Sequence, residues 1–417
     1  RSFGEASLGE SAMWSLRRAP AIRPARYFSK LRGTVAMKIQ NDKMYADIRR
    51  SREDKAKKAR VSSGDELSKE EGQRRNAQIM AAKNAGDLLH LVETEPFNPV
   101  NVCTAVNRLS KFKSHDVEID DERWTNLRDV VVSRSLRFSA QGVANCLHGY
   151  AKMERKEMLE PGNFPRIELF QMAEKKAPKM NAQEVANTWW AIGTTQQVPP
   201  ALLAAELDRA VERVAPEMNA QNVANTLWAY ARLGYEPKTI LIDQVPRHAP
   251  HMVGQNIRET LWSLAMLHQV ELEVVQTLER TIKRTASRFK PQDVAGILWA
   301  LCMMDYAVDK GTVDALAEAA VRTHKKMLKP EAANLVWVLD LIELPGFDGE
   351  MAMHLERVSN GMGPEEAIDL EPIDPDPRGT ALRLKREHEL EIGRNGRRKG
   401  MSSGDYVPTK RFLKEQW

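Results

Sequence analysis

MNAQNVANTLWAYARLGYEP, residues 218–237, is written almost word for word at residues 180–199 as MNAQEVANTWWAIGTTQQVP. Looser versions open at Phe97, Phe138, Met252, Phe289 and Met327, so seven copies follow one another at spacings of 41, 42, 38, 34, 37 and 38 residues. A self-similar period of this length is the mark of stacked supersecondary units rather than of one globular core.

Each copy reads as a helix with a defined start. The opening Phe or Met is followed by a capping residue (Asn98, Ser139, Asn181, Asn219), then by Pro or Ala at the first helical position. A Pro there gives up an N–H that has no intrahelical acceptor in any case. Apolar residues follow at helical spacing, as at Val223, Ala224, Leu227, Trp228 and Ala231, before Gly234 stops the turn. The rest of each period holds a second amphipathic stretch, for example residues 199–216 and 272–288. Two helices with one apolar face each cannot bury themselves alone. The expected fold is therefore all-α: an α-solenoid of about seven helical hairpins over residues 81–345, with disordered basic extensions at both ends.

Trp190, Trp228, Trp262, Trp299 and Trp337 stand ten residues after their openers, with Asn107 and His148 in that slot earlier. Burying an indole removes up to ~250 Å² from water, which reads as core packing; a base-stacking platform is the other reading. Amides recur too. Gln141, Gln183, Gln221, Gln255 and Gln292 lie three residues after their openers, and Asn145, Asn187, Asn225 and Asn334 lie seven after. Positions four apart share a helix face, so these amides form a polar stripe. They either read the edges of unpaired bases or bridge neighbouring hairpins. Thr104, Glu259, Gly296 and Pro330 interrupt the pattern.

Charge is uneven. Residues 1–75 hold 19 Lys/Arg against 10 Asp/Glu, and residues 378–417 hold 11 against 5. Residues 343–376 carry ten acids and the single base Arg357, which leaves the repeat region close to neutral. From Met13 to Gln40 there are seven bases and no acid, and RYFS at 26–29 is similar to a matrix-protease cleavage site. This composition predicts a mitochondrial presequence over 1–40 and a matrix location. Residues 41–80 read as a charged linker or helix, 346–380 as an acidic Pro-rich linker, and 381–417 as a basic tail. Arg394, Arg397, Arg398 and Lys399 in that tail are candidate phosphate contacts.

Enzymatic and metal motifs are not legible. HExxH and GxxxxGK[ST] do not occur, and Cys103, Cys146 and Cys302 form no CxxC. His248 and His251 have no acidic or Cys neighbours at ligand spacing. No cofactor and no membrane span are expected.

The phrase VANTLWAYARLG and its relatives resemble the octatricopeptide-type helical repeats, related to those of RAP-domain and FAST-kinase-like proteins of mitochondria and plastids. The resemblance covers roughly residues 85–345, without a convincing RAP domain after 345. It implies an α-solenoid that binds single-stranded organellar RNA and supports its processing, stability or translation. Some such proteins are instead structural parts of mitochondrial ribosomes, which implies ribosomal RNA and protein subunits as the other class of partner.

Overall fold

The structure, a computed structural model, describes residues 67–360 apart from 270 and 305. These residues have an all-α, helical-repeat solenoid architecture, divided into two compact units between His248 and Ala249. The presequence region, most of the 41–80 segment and the basic tail lie outside the described residues.

The first unit comprises α1 (Lys69–Ala81), α2 (Ala85–Thr94), α3 (Pro99–Leu109), α4 (Arg123–Arg134), α5 (Ala140–Arg155), α6 (Arg166–Lys176), α7 (Ala182–Thr195), α8 (Ala201–Val214), α9 (Ala220–Leu233), α10 (Thr239–Ile242) and α11 (Gln244–His248). Its leading helices stack in one layer, α1 on α3, α3 on α5, α5 on α7 and α7 on α9. The following helices form a second layer, with α2 on α4 and α6 on α8. Small residues let the leading helices approach closely. A Cβ on Gly193 in α7 would come within 2.9 Å of the Ala229 Cα in α9. The hairpin α1–α2 precedes the first recognised copy, so the array starts one unit earlier than its sequence pattern. Its start is marked by a capping box, in which Ser68 accepts from the Glu71 N–H while Glu71 accepts from that of Ser68.

The second unit comprises α12 (Gly254–Leu267), α13 (Leu272–Thr285), α14 (Pro291–Met303), α15 (Lys310–Thr323), α16 (Lys329–Leu339) and α17 (Gly349–Ser359). Here α12 stacks on α14 and α14 on α16, while α13 packs on α15. The helix α17 falls within the stretch whose composition reads as an acidic linker. Asp348 caps it by accepting from the Met351 N–H, Leu355 is fully buried, and the helix lies along α16. One buried leucine and a good cap outweigh its acidic composition.

The openers explain why the phrase repeats. Phe97, Phe138, Met180, Met218, Met252, Phe289 and Met327 are all buried. From Phe138 onward each donates its N–H to the carbonyl three residues back, closing a 3₁₀ turn after the preceding helix. The expected caps also form: Asn98, Ser139, Asn181 and Asn219 accept from Asn101, Gly142, Glu184 and Asn222. A recurrent arginine, five residues before the opener, ties adjacent hairpins within each unit. Arg213 donates to the carbonyls of Ala177 and Met180, Arg247 to Pro216, Arg284 to Pro250, and Arg322 to Ala286 and Phe289.

One second helix departs from expectation. In the fourth copy it is broken into the short pieces α10 and α11. Pro246 has no N–H to donate, and its ring clashes with the carbonyl four residues back. The division between the units follows directly after.

Candidate nucleic-acid interface

Along each leading helix, offsets 3, 7, 10 and 14 from the opener advance by alternate fours and threes and so stay on one face about 60° wide. On α5, α7 and α9 this face carries two amides and a ring in turn, followed by a base on α5 and α9 and a threonine on α7. The copies read Gln141, Asn145, His148 and Lys152; then Gln183, Asn187, Trp190 and Thr194; then Gln221, Asn225, Trp228 and Arg232. Gln141, Gln183 and Gln221 are exposed, Asn145 and Asn187 are half-buried, and Asn225 is 8% exposed.

The rings form a continuous ladder across these helices. His148 and Trp190 have centroids 4.8 Å apart, and Trp190 and Trp228 stack at 6.3 Å with planes 25° apart. The Arg232 guanidinium sits 5.5 Å from the Trp228 ring centroid, in cation–π range. Burial pushes the His148 imidazole down to about 4, and nearby Lys152 adds to the shift. His148 is thus neutral at physiological pH and presents one donor and one acceptor.

The tryptophan column therefore shares the face of the amides, and at Trp190 and Trp228 it is part of the buried core, as expected for packing. Trp190 and Trp228 each retain 7% exposure. The central anchor is the neighbouring Trp189, fully buried, with Tyr230 at 4.8 Å and Tyr235 at 5.5 Å from its ring. Tyr230 donates its hydroxyl to Asp208 Oδ1 at 2.5 Å. Burial raises the Asp208 carboxyl above its ordinary range, and raises the Tyr230 phenol, with Asp208 adding to that effect.

In the second unit the same slots are filled differently. Gln255 donates to Glu259, which takes the Asn slot and is buried. Arg258 lies 3.5 Å from Glu259 and 3.9 Å from Asp293, all three nearly inaccessible. Burial pushes the carboxyls of Asp293 and Glu331 above the usual carboxylate range, opposed by backbone N–H groups and by Arg258. Gln292 is half-buried, Gly296 supplies no side chain, and offset 14 holds Met266, Met303 and Leu341. Trp299 and Trp337 continue a ring ladder at 6.1 Å.

Asn334 requires a correction. Expected on an accessible stripe, it is 0% exposed, and neither its amide oxygen nor its nitrogen has a hydrogen-bond partner. It sits on α16, along which α17 packs. A contact with an outside ligand is closed to it. Arg394, Arg397, Arg398 and Lys399 lie outside the described residues.

Bridging between hairpins runs mostly through other groups. Besides the arginines, Asn101 donates to the Gly72 carbonyl and to Asn76. Among the described residues no hydrogen bond links Asn145, Asn187 and Asn225 to one another. Sequence reasoning missed Lys111, Lys152 and Arg232 as companions of the stripe. Their signal was a period-seven continuation of the amide offsets, which the excess of charge in the termini obscured.

Among the described residues no group of three His, Cys, Asp or Glu side chains is placed to hold a metal ion. No described helix is long and apolar enough to cross a membrane. Cys103, Cys146 and Cys302 are free thiols.

Four stretches of the chain, residues 132–147, 169–189, 202–227 and 276–298, match the family described as "Protein of unknown function (DUF1601)". No curated protein matches the chain. Each matched stretch contains an opener (Phe138, Met180, Met218 or Phe289) and runs from the end of one hairpin into the leading helix of the next. The similarity thus falls on the phrase that builds the array, and it skips the copy at Met252, which follows the helix broken at Asp243.

Proposed function

We propose that this is an RNA-binding helical-repeat protein of the mitochondrial matrix, acting in RNA processing, stability or translation. The observation that carries the reading is the face of α5, α7 and α9, on which two amides and a planar ring recur once per hairpin, with the cations Lys152 and Arg232 on the first and last of these helices. Amides supply paired donors and acceptors for base edges, rings supply stacking surface, and cations neutralise phosphates. The solenoid architecture is one that nucleic-acid-binding repeat proteins use, and the basic termini add to phosphate attraction. In-cell crosslinking of the full chain, followed by sequencing of the attached RNA, tests this directly. Enrichment of mitochondrial transcripts over cytosolic RNA is expected. Recovery of protein crosslinks without RNA sinks the reading.

A second reading is a scaffold within a mitochondrial ribosome or another large assembly. The second unit favours it, because its face is closed by internal ion pairs and edged with methionines rather than cations. Sucrose-gradient sedimentation separates the two readings. Stoichiometric co-migration with a ribosomal particle supports the scaffold, and light or sub-stoichiometric fractions support a free factor.

The matrix location rests on residues 13–40. Fused to a reporter, they are expected to direct it to mitochondria, and replacing Arg17, Arg18, Arg23 and Arg26 by Gln is expected to abolish import. Cytosolic or plastid fluorescence from the unaltered fusion removes the location.

A further inference from the structure

The geometry points to a ligand site confined to the first unit: single-stranded RNA is held by the leading helices α5, α7 and α9, and the matching face of the second unit takes no part. This rests on the RNA-binding reading and narrows it, because the repeat pattern alone gives every copy an equal claim.

The two units differ at each matched offset. At offset 3, Gln183 and Gln221 are exposed; Gln255 is exposed too but donates to Glu259 at 2.8 Å, and Gln292 is half-buried. At offset 7 the helices α5, α7 and α9 hold the half-buried Asn145 and Asn187 and the 8%-exposed Asn225. The second unit holds a buried carboxylate, a glycine and the fully buried Asn334. A carboxylate at this slot accepts but does not donate, and it repels phosphate. Gln255, tied to it, has part of its own donor capacity occupied.

The offset-14 row decides between a face for RNA and one for something else. Lys152, Thr194 and Arg232 occupy it on α5, α7 and α9, with Lys111 in the turn after α3, and Met266, Met303 and Leu341 occupy it in the second unit. Two of these bases share the face of the rings, since Lys152 follows His148 by four residues on α5 and the Arg232 guanidinium lies over Trp228. Cations therefore stand beside the amides on α5 and α9, and none stands in the same slots of the second unit. A polyanion with unpaired bases satisfies both rows at once, whereas an apolar protein surface satisfies neither.

The test uses the full chain and short fluorescein-labelled homopolymer RNAs (A, C and U), with a duplex of matched length as control. Anisotropy gives affinity and circular dichroism gives melting on the same samples. Asn187→Ala with Asn225→Ala is expected to weaken the best single-stranded probe roughly tenfold or more while melting hardly moves. Arg232→Gln is expected to lower the slope of log affinity against log salt by ~0.7, the signature of one lost phosphate contact. Gln255→Ala with Gln292→Ala is expected to leave affinity unchanged. Ultraviolet crosslinking of wild-type protein to the same probe, with peptides identified by mass spectrometry, is expected to mark residues 141–232; it stands even if the asparagine variant fails to fold. Crosslinks or affinity losses shared equally by the second unit overturn the confinement while leaving RNA binding intact. Failure of the wild type to bind any single-stranded probe overturns the RNA reading itself.

Discussion

Replacing Trp189 by alanine is expected to cost the first unit about 3–5 kcal/mol, the range for removing a large aromatic from a packed core. Trp189 is fully inaccessible and touches Tyr230 and Tyr235, which belong to the next hairpin. Its indole N–H has no acceptor, so its contribution is packing rather than a hydrogen bond. Repeat arrays draw their stability from interfaces between neighbours, so the loss is expected to spread to the hairpins on both sides. Trp228→Ala provides the contrast. That ring lies on the interface face and stacks on Trp190, so its removal is expected to lower melting less and RNA affinity more. Chemical denaturation of both variants, with hydrogen exchange to locate the loosened helices, checks the pair. Equal destabilisation without any difference in RNA affinity would leave the whole column with a packing role alone.

The second large effect is expected in the other unit, at Arg258. This guanidinium lies between two buried carboxylates, and Arg258→Ala leaves Glu259 and Asp293 without their countercharge. Removing one partner from a buried ionic group costs about 3–5 kcal/mol, because the remaining charge stays desolvated. Replacing the group with neutral residues, as in Arg258→Met with Glu259→Gln and Asp293→Asn, is expected to recover most of the loss. The deficit of the single variant should also depend on pH. Burial holds the Asp293 carboxyl above its ordinary value, so the folded state binds a proton more readily than the unfolded chain. A group raised in this way favours folding below its unfolded value, and the benefit disappears as pH rises through its folded value. Loss of Arg258 raises Asp293 further, so the variant is expected to approach wild-type stability as the pH is lowered towards the carboxylate range. Denaturant titrations at neutral and mildly acidic pH measure this, and a deficit independent of pH would rule out the uncompensated charge as its cause.

The buried openers, the caps at Asn98, Ser139, Asn181 and Asn219, and the alternation of two helices were all legible, because each depends on residues within about four positions of one another. The amide stripe was legible as a spacing. Its accessibility was not, since exposure of Gln183 and burial of Asn334 depend on what the adjoining helix places opposite. The cations Lys152 and Arg232 were present at the right interval, yet the net neutrality of the repeats masked a row of charge confined to one face.

The sequence by itself determined the period, the helix boundaries and the all-α repeat class, because capping, proline placement and apolar spacing are local and recur with each copy. Tertiary structure alone decided which of two adjacent tryptophans is the anchor, since Trp189 and Trp190 differ only in the side of α7 from which they project. It also decided that Glu259 is buried against Arg258 and that α17 packs along α16, where Asn334 is sealed. These outcomes depend on contacts between hairpins separated by a full period, where one substitution redirects packing without altering the local helical pattern.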